Sequence, residues 1–200
     1  MELNTEQKIL EAAQEIFHQK GYDGARMQEI AGHAGINKGL LHYYFKTKDK
    51  LFAAIFDAAF HKMITEIVSI LRLDACVAER LCLIVDRYMA LLMQHPDLPR
   101  FVVHELNNNP AGFGKKHITR EAKAAFVHFS ASVHAEIKQK KIPDLDPRQL
   151  FINTLSLIVF PFIARPLIQG ITAASNTELK QLLADRKEQV KDSIRRELKV

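Results

Sequence analysis

The chain has 200 residues, enough for one or two domains, and 48% of them are hydrophobic, enough for a sizeable core. Lysine and arginine number 28 against 23 acidic residues, a formal charge of +5 that fits a polyanionic partner or a plain basic surface and by itself assigns neither. The start, MELNTEQK, is polar and acidic, not a basic segment followed by an apolar run, so no secretory signal is read and the cytoplasm is the expected location.

A first helix is predicted from about Thr5 to Lys20, where Ile9, Ala12, Ala13, Ile16 and Phe17 form one apolar stripe and Gly21 follows as a stop. Glu15 and His18 make an E-x-x-H pair, but no second copy exists for a di-iron bundle, and a solvated helix face is the expected role. A short second helix is predicted from Gln28 to Ala34, with Ile30, Ala31 and Ala34 on one small apolar face. Gly35 falls where the chain must turn with a positive φ, and Asn37 is a good N-cap for a third helix that carries Leu41 and Phe45 inward. Lys38, Gly39, Leu40, Tyr43 and Tyr44 are left outward, a mixture suited to a major groove and its flanking phosphates. Such a helix-turn-helix spacing also occurs in helical hairpins that never touch DNA. Placement of charge adds to it: Lys38, Lys46, Lys48 and Lys50 cluster here, opposed only by Asp49.

Beyond residue 47 the apolar positions keep helical spacing, so the fold is expected to be all-α. Helices are predicted near Lys48 to Leu73, Ala75 to Gln94, Leu98 to Leu106, Lys115 to Lys141, Pro147 to Gln169 and Thr177 to Lys199, with a polar, glycine-containing loop from Asn107 to Gly114. Cys76 and Cys82, six apart in one predicted helix, face apart and read as buried thiols without a bridge. The uncharged run from Gln149 to Ala164 is short of a membrane span and, being apolar nearly all round, is expected to be buried on both sides; Pro161 and Pro166 predict a kink in its helix. In the last helix Leu179, Leu182, Leu183, Val190, Ile194 and Leu198 lie near one seam, which needs a partner either within the chain or in a second copy.

From about Thr5 to Phe56 the sequence resembles the N-terminal domain of TetR-family transcriptional regulators. The segment ILEAAQEIFHQKGYDGARM, the Ile30 and Ala31 pair, AGINKG at Ala34 to Gly39 and LHYYFKTKDKLF at Leu41 to Phe52 fall in the family's order and spacing. The resemblance implies an N-terminal three-helix DNA-binding domain over residues 1–47 and a larger helical effector-binding and dimerisation domain over residues 48–200, with about nine helices. It implies a homodimer through Gln149 to Gln169 and Thr177 to Lys199, reading a near-palindromic operator in double-stranded DNA, with repression the commoner behaviour. Family positions that contact DNA map onto Gln28, Asn37, Lys38, Gly39, Leu40, His42, Tyr43, Tyr44 and Lys48.

Two residues depart from the family pattern. Arg26 stands where Ser or Thr often caps the second helix, leaving an arginine able to reach a phosphate. His42 stands where Tyr is usual, and if its ring meets a phosphate, binding is expected to strengthen as pH falls from ~7.5 to ~6. A small-molecule effector is implied among the middle helices, with Phe60, Met63, Tyr88, Met89, Met93, Phe101, His104, Phe126, Phe129, Asn153 and Phe160 as candidate lining, most of them better suited to plain core. Abundant Phe and Met without an expected buried charge point to an apolar effector. An enzyme is not expected: there is no H-E-x-x-H, glycine-rich phosphate loop, G-x-S-x-G or C-x-x-C, and no cofactor or metal is called for. An architectural DNA-binding protein without an effector is the remaining alternative.

Overall fold

A computed structural model describes residues 4–108 and 110–200; Met1 to Leu3 of the N-terminal reading, and Asn109 of the predicted loop, lie outside the described residues. The described residues form eleven α-helices and no strand, in two compact units, Met1–His61 and Lys62–Val200.

In the first unit α1 (Thr5–Gly24) opens on a reciprocal cap: Asn4 Oδ1 accepts from the Gln7 amide at 2.8 Å and Gln7 Oε1 from the Asn4 amide at 3.1 Å. Its stripe of Ile9, Ala12, Ala13, Ile16 and Phe17 is buried as expected. Gly21 interrupts the helix with φ 68° and ψ 177°, and a last turn to Gly24 follows it. α2 (Met27–His33) packs on α1 and α3 (Lys38–Tyr44) packs on α2, and Phe17, Tyr22, Phe52 and Phe56 join edge to face, with centroid separations of 4.5–4.8 Å between Phe52 and each of the others. α4 (Lys48–Leu71) continues from this unit into the next.

In the second unit α5 (Val77–Gln94) is central, packed against α8 (Arg120–Lys138), α9 (Pro147–Ile163) and α11 (Asn176–Leu198). The polar segment expected as a loop is instead the end of α6 (Leu98–Asn108) and most of α7 (Pro110–His117). Pro110 suits a first helical position, where its missing N–H is no loss, and Phe113 and His117 anchor the short helix by burying their rings 4.6 Å apart. The predicted Lys115 to Lys141 helix is accordingly divided: Thr119 caps a fresh start by accepting from the Ala122 amide at 3.1 Å, and α8 ends at Lys138, before Lys140 with φ 58°.

The predicted helix from Pro147 to Gln169 is also two, α9 and α10 (Arg165–Thr172), bent by 72° about Ala164. The break falls just ahead of Pro166, which disfavours helical geometry in Arg165 and then occupies a first-turn place that needs no N–H. Pro161 remains inside α9. Burial on both sides of this run does not occur within the chain: α10 has no buried residue, and Ile152, Phe160 and Ile163 of α9 are exposed. In α11 the seam of Leu179, Leu183, Val190, Ile194 and Leu198 is buried, while Leu182 is exposed. The cysteines differ from expectation too. Cys76 is exposed and precedes α5, where its Sγ accepts from the Glu79 amide at 3.5 Å, and Cys82 is half-buried.

Candidate nucleic-acid interface

The turn between α2 and α3 reverses the chain in few residues. Gly35, at φ 68°, donates its N–H to Gly32 O at 3.1 Å, and the Ile36 N–H donates to Ala31 O at 3.0 Å. A residue with a Cβ is strained at that φ. Asn37 then caps α3, its Oδ1 accepting from the Leu40 amide at 2.8 Å. With Leu41 and Phe45 buried beneath, and Ile30 and Ala31 of α2 buried beside them, the register of α3 is fixed. Lys38, Gly39, Leu40, His42, Tyr43 and Tyr44 are consequently exposed, and Asn37 with them. Tyr43 is the most open, at 79%, and its ring meets that of Tyr44 edge to face at 5.6 Å. A Cβ on Gly39 would stand 3.2 Å from Asn37 Oδ1, so glycine here spares the cap as well as keeping the surface thin.

Arg26 occupies the N-cap position of α2 without a side-chain cap bond, in line with the missing Ser or Thr, and both it and Gln28 are exposed. Neighbouring charges tie α2 to α1: Glu29 pairs with Lys20, and His33 Nε2 lies 2.6 Å from Glu15 Oε2. Glu15 thus faces α2, and no three metal-ligating side chains gather among the described residues.

Lys48 sits differently from the other basic residues. It is half-buried, its Nζ donates to Tyr22 O at 2.8 Å and Ala25 O at 3.2 Å, and it lies 4.3 Å from the Tyr22 ring centroid. A cation is thereby held at the carbonyl end of α1, where the helix dipole favours it. The Tyr22 hydroxyl donates to Asp49, and burial followed by that carboxylate pushes its pKa far above the ordinary tyrosine value, so it remains a donor. Tyr22 was not a candidate from sequence; its only signal was an aromatic directly after Gly21, in the G-Y-D run.

The candidate effector residues are dispersed through the chain's packing. Tyr88, Met89, Phe101 and Phe129 are core, Phe60 and Met63 are buried on α4, and Met93, His104 and Phe126 are half-buried. Phe126 lines an open cleft of about 480 Å³ with Ser130, His134 and residues 144–148. Phe160 is exposed, and Asn153 Nδ2 donates to Glu197 Oε1 on α11 at 3.1 Å. The expectation that the interior holds no charge fails at Arg80, which is 1% exposed on α5.

Residues 9–55, which take in α2 and α3 complete, match the family model for bacterial regulatory proteins of the tetR family. A probable HTH-type transcriptional regulator, YttP of Bacillus subtilis, is 26% identical over 166 residues, covering 82% of this chain and 79% of that one. A fatty acid metabolism regulator protein of the same species is 22% identical over 182 residues, covering 88% and 93%. In fold the chain is similar to the crystal structure of the transcriptional regulator FadR from Bacillus subtilis in complex with stearoyl-CoA, with a TM-score of 0.58 at 20% identity over 92% of this chain and 96% of that one.

Proposed function

We propose, on the premise that the chain belongs to the TetR family of bacterial regulatory proteins, that it is a sequence-specific repressor that holds a near-palindromic operator as a homodimer and lets go when a small effector binds. The family is one of non-enzymes, and the work assigned to this chain is binding. One observation carries the reading: α3 is capped by Asn37, anchored through Leu41, and turns Lys38, Gly39, Leu40, Tyr43 and Tyr44 to solvent. Lys38 and Leu40 face base edges, Gly39 admits the backbone closely, and Tyr43 and Tyr44 grip phosphates with Arg26 and Gln28 at the flank. His42 adds its ring at the side of this surface. Residues 1–47 form the DNA-binding domain and residues 48–200 the effector and dimer domain, acting in the cytoplasm where the chromosome lies. No single helix among the described residues is long and apolar enough to cross a membrane.

Dimerisation is supported by the unburied apolar side chains of α9, α10 and α11, among them Phe160, Leu167, Ile171 and Leu182. An isologous pair through these helices relates two copies of α3 by a two-fold axis, which a near-palindrome with half-sites about one helical turn (~34 Å) or somewhat more apart would match. For the effector, an acyl chain is the apolar body we favour, a reading supported by the relative whose structure holds stearoyl-CoA. Selection of genomic fragments by the purified protein, with affinity followed against salt, tests the whole. One near-palindrome bound by two chains, with affinity falling steeply as salt rises, is expected. Diffuse recovery with no preferred sequence would overturn the repressor reading in favour of an architectural protein.

A further inference from the structure

Arg80 is an unusual side chain for the middle of a helical core. Its guanidinium is shielded from water, its Nη1 donates to Leu71 O at 3.0 Å, and its Cζ lies 5.6 Å from the Phe129 ring centroid. Its Nε has no hydrogen-bond partner among the described residues, and no carboxylate there comes within ion-pair distance. A buried charge without an ion pair, with one donor unmade, is an arrangement proteins seldom keep for stability alone. Burial lowers the Arg80 pKa, and the nearest carboxylate by charge is Glu136, whose Oε1 is already accepting from the Val77 amide at 2.8 Å in the first turn of α5.

The same side chain lines an open cavity of about 660 Å³ bounded by residues 72–76, by Arg80, by His128, Ser132 and Glu136 of α8, and by Lys141. That volume is in the range of small-molecule sites. Its charged lining consists of Arg72, Arg80 and Lys141 against Asp74 and Glu136, and the Cys76 thiol, pushed up in pKa by burial, adds no thiolate. His128 Nδ1 is 3.2 Å from the same Leu71 carbonyl that Arg80 holds. The lining is too polar for the apolar body of the effector proposed above, and cations outnumber carboxylates in it.

We infer that this cavity is a binding site for a small organic anion, whose carboxylate or phosphate is drawn to the buried Arg80 charge at its wall and is flanked by Arg72 and Lys141. Glu136 sets the selectivity of the site. With one oxygen on the α5 amide it stands beside Arg80, so a neutral molecule gains nothing there, whereas a strong anion meets the cations that line the cavity. Arg80 brings α5 to the cavity, and α4 is tied to it there because the Leu71 carbonyl at the end of α4 accepts from Arg80.

The test uses the full chain, labelled with nitrogen-15, and reads the side-chain Nε–H resonance of Arg80, assigned by its loss in Arg80→Lys. Phenyl phosphate, benzoate and benzyl alcohol are titrated in without DNA. A saturable shift is expected with phenyl phosphate, with benzoate, or with both, and none with benzyl alcohol; which anion acts tells a phosphate ligand from a carboxylate one. Arg72→Ala with Lys141→Ala, both on the surface, should weaken binding about tenfold. Glu136→Gln, which keeps an acceptor for the Val77 amide and removes the charge, should tighten it about threefold or more. A resonance that no probe moves at millimolar concentration, an equal response to benzyl alcohol, or affinities indifferent to all three substitutions would overturn the inference. Because no operator is present, a failure here and a failure of DNA recognition are separate results.

Discussion

The two units of the chain expose side chains for opposite reasons. In α3 the exposed set is polar or amphipathic, and the helix beneath it is closed: Asn37 caps, Leu41 and Phe45 anchor, and nothing apolar is left without cover except Leu40 and the tyrosine faces. In α9 and α10 the exposed set is aliphatic and aromatic, with Phe160 at 58% and Ile171 at 76%, and no residue of α10 buried at all. The first pattern is that of a surface that meets a charged, hydrated partner; the second is that of a core with one half missing. Two partners of different chemistry are accordingly proposed for one chain, and each can be removed without the other.

The largest separation comes from Leu41→Ala, which empties a fully buried site under α3. It should lower stability by about 2–5 kcal/mol, read as a fall in the thermal midpoint, whereas Leu40→Ala next to it should leave stability nearly unchanged and weaken operator binding. Leu167→Glu with Ile171→Glu should weaken the dimer about a hundredfold or more in sedimentation equilibrium, since charge would enter the surface proposed to close against its copy, while helicity by circular dichroism stays the same. Should the pair remain dimeric, the open face of α10 is not the interface. Lys48→Met should remove both carbonyl bonds at the end of α1 and reduce stability by about 1–3 kcal/mol; a loss of DNA affinity with stability intact would instead make Lys48 a phosphate contact and nothing more. Smallest of the stability effects, Asn37→Ala should lose about 1 kcal/mol through the cap. Finally, Lys38→Ala should change which operator sequences are preferred, and Lys46→Ala should weaken all sequences alike and shallow the salt slope by about one unit.

What sequence revealed here was local. Gly35 at a positive φ, the Asn37 cap, and Leu41 and Phe45 four apart are short-range signals, and each sits where the spacing placed it. What it concealed was decided by distant residues. The 107–114 segment carries loop-forming residues, yet Phe113 and His117 find a place to bury and turn most of it into helix. Pro161 and Pro166 announced a kink without saying which would break the helix; the break went to the proline that could serve as a new first turn. Arg80 was indistinguishable from any surface arginine until Leu71, Phe129 and Glu136 were brought around it from 9, 49 and 56 residues away. Lys48 reads in the sequence as a phosphate contact because a family contact position maps onto it within a cluster of lysines, and its bonds to the Tyr22 and Ala25 carbonyls, from residues more than twenty positions away, have no local signal.

The chain has no tryptophan and four tyrosines, and three of these, Tyr22, Tyr43 and Tyr44, belong to the first unit. Its near-ultraviolet emission is therefore weighted toward the segment assigned to the operator. Tyr43 and Tyr44 are in mutual ring contact on the exposed side of α3, while Tyr22 donates its hydroxyl to a carboxylate and Tyr88 is enclosed. The unlabelled protein carries its own optical probe of operator engagement, and the change on adding duplex should vanish when both exposed tyrosines are replaced by phenylalanine.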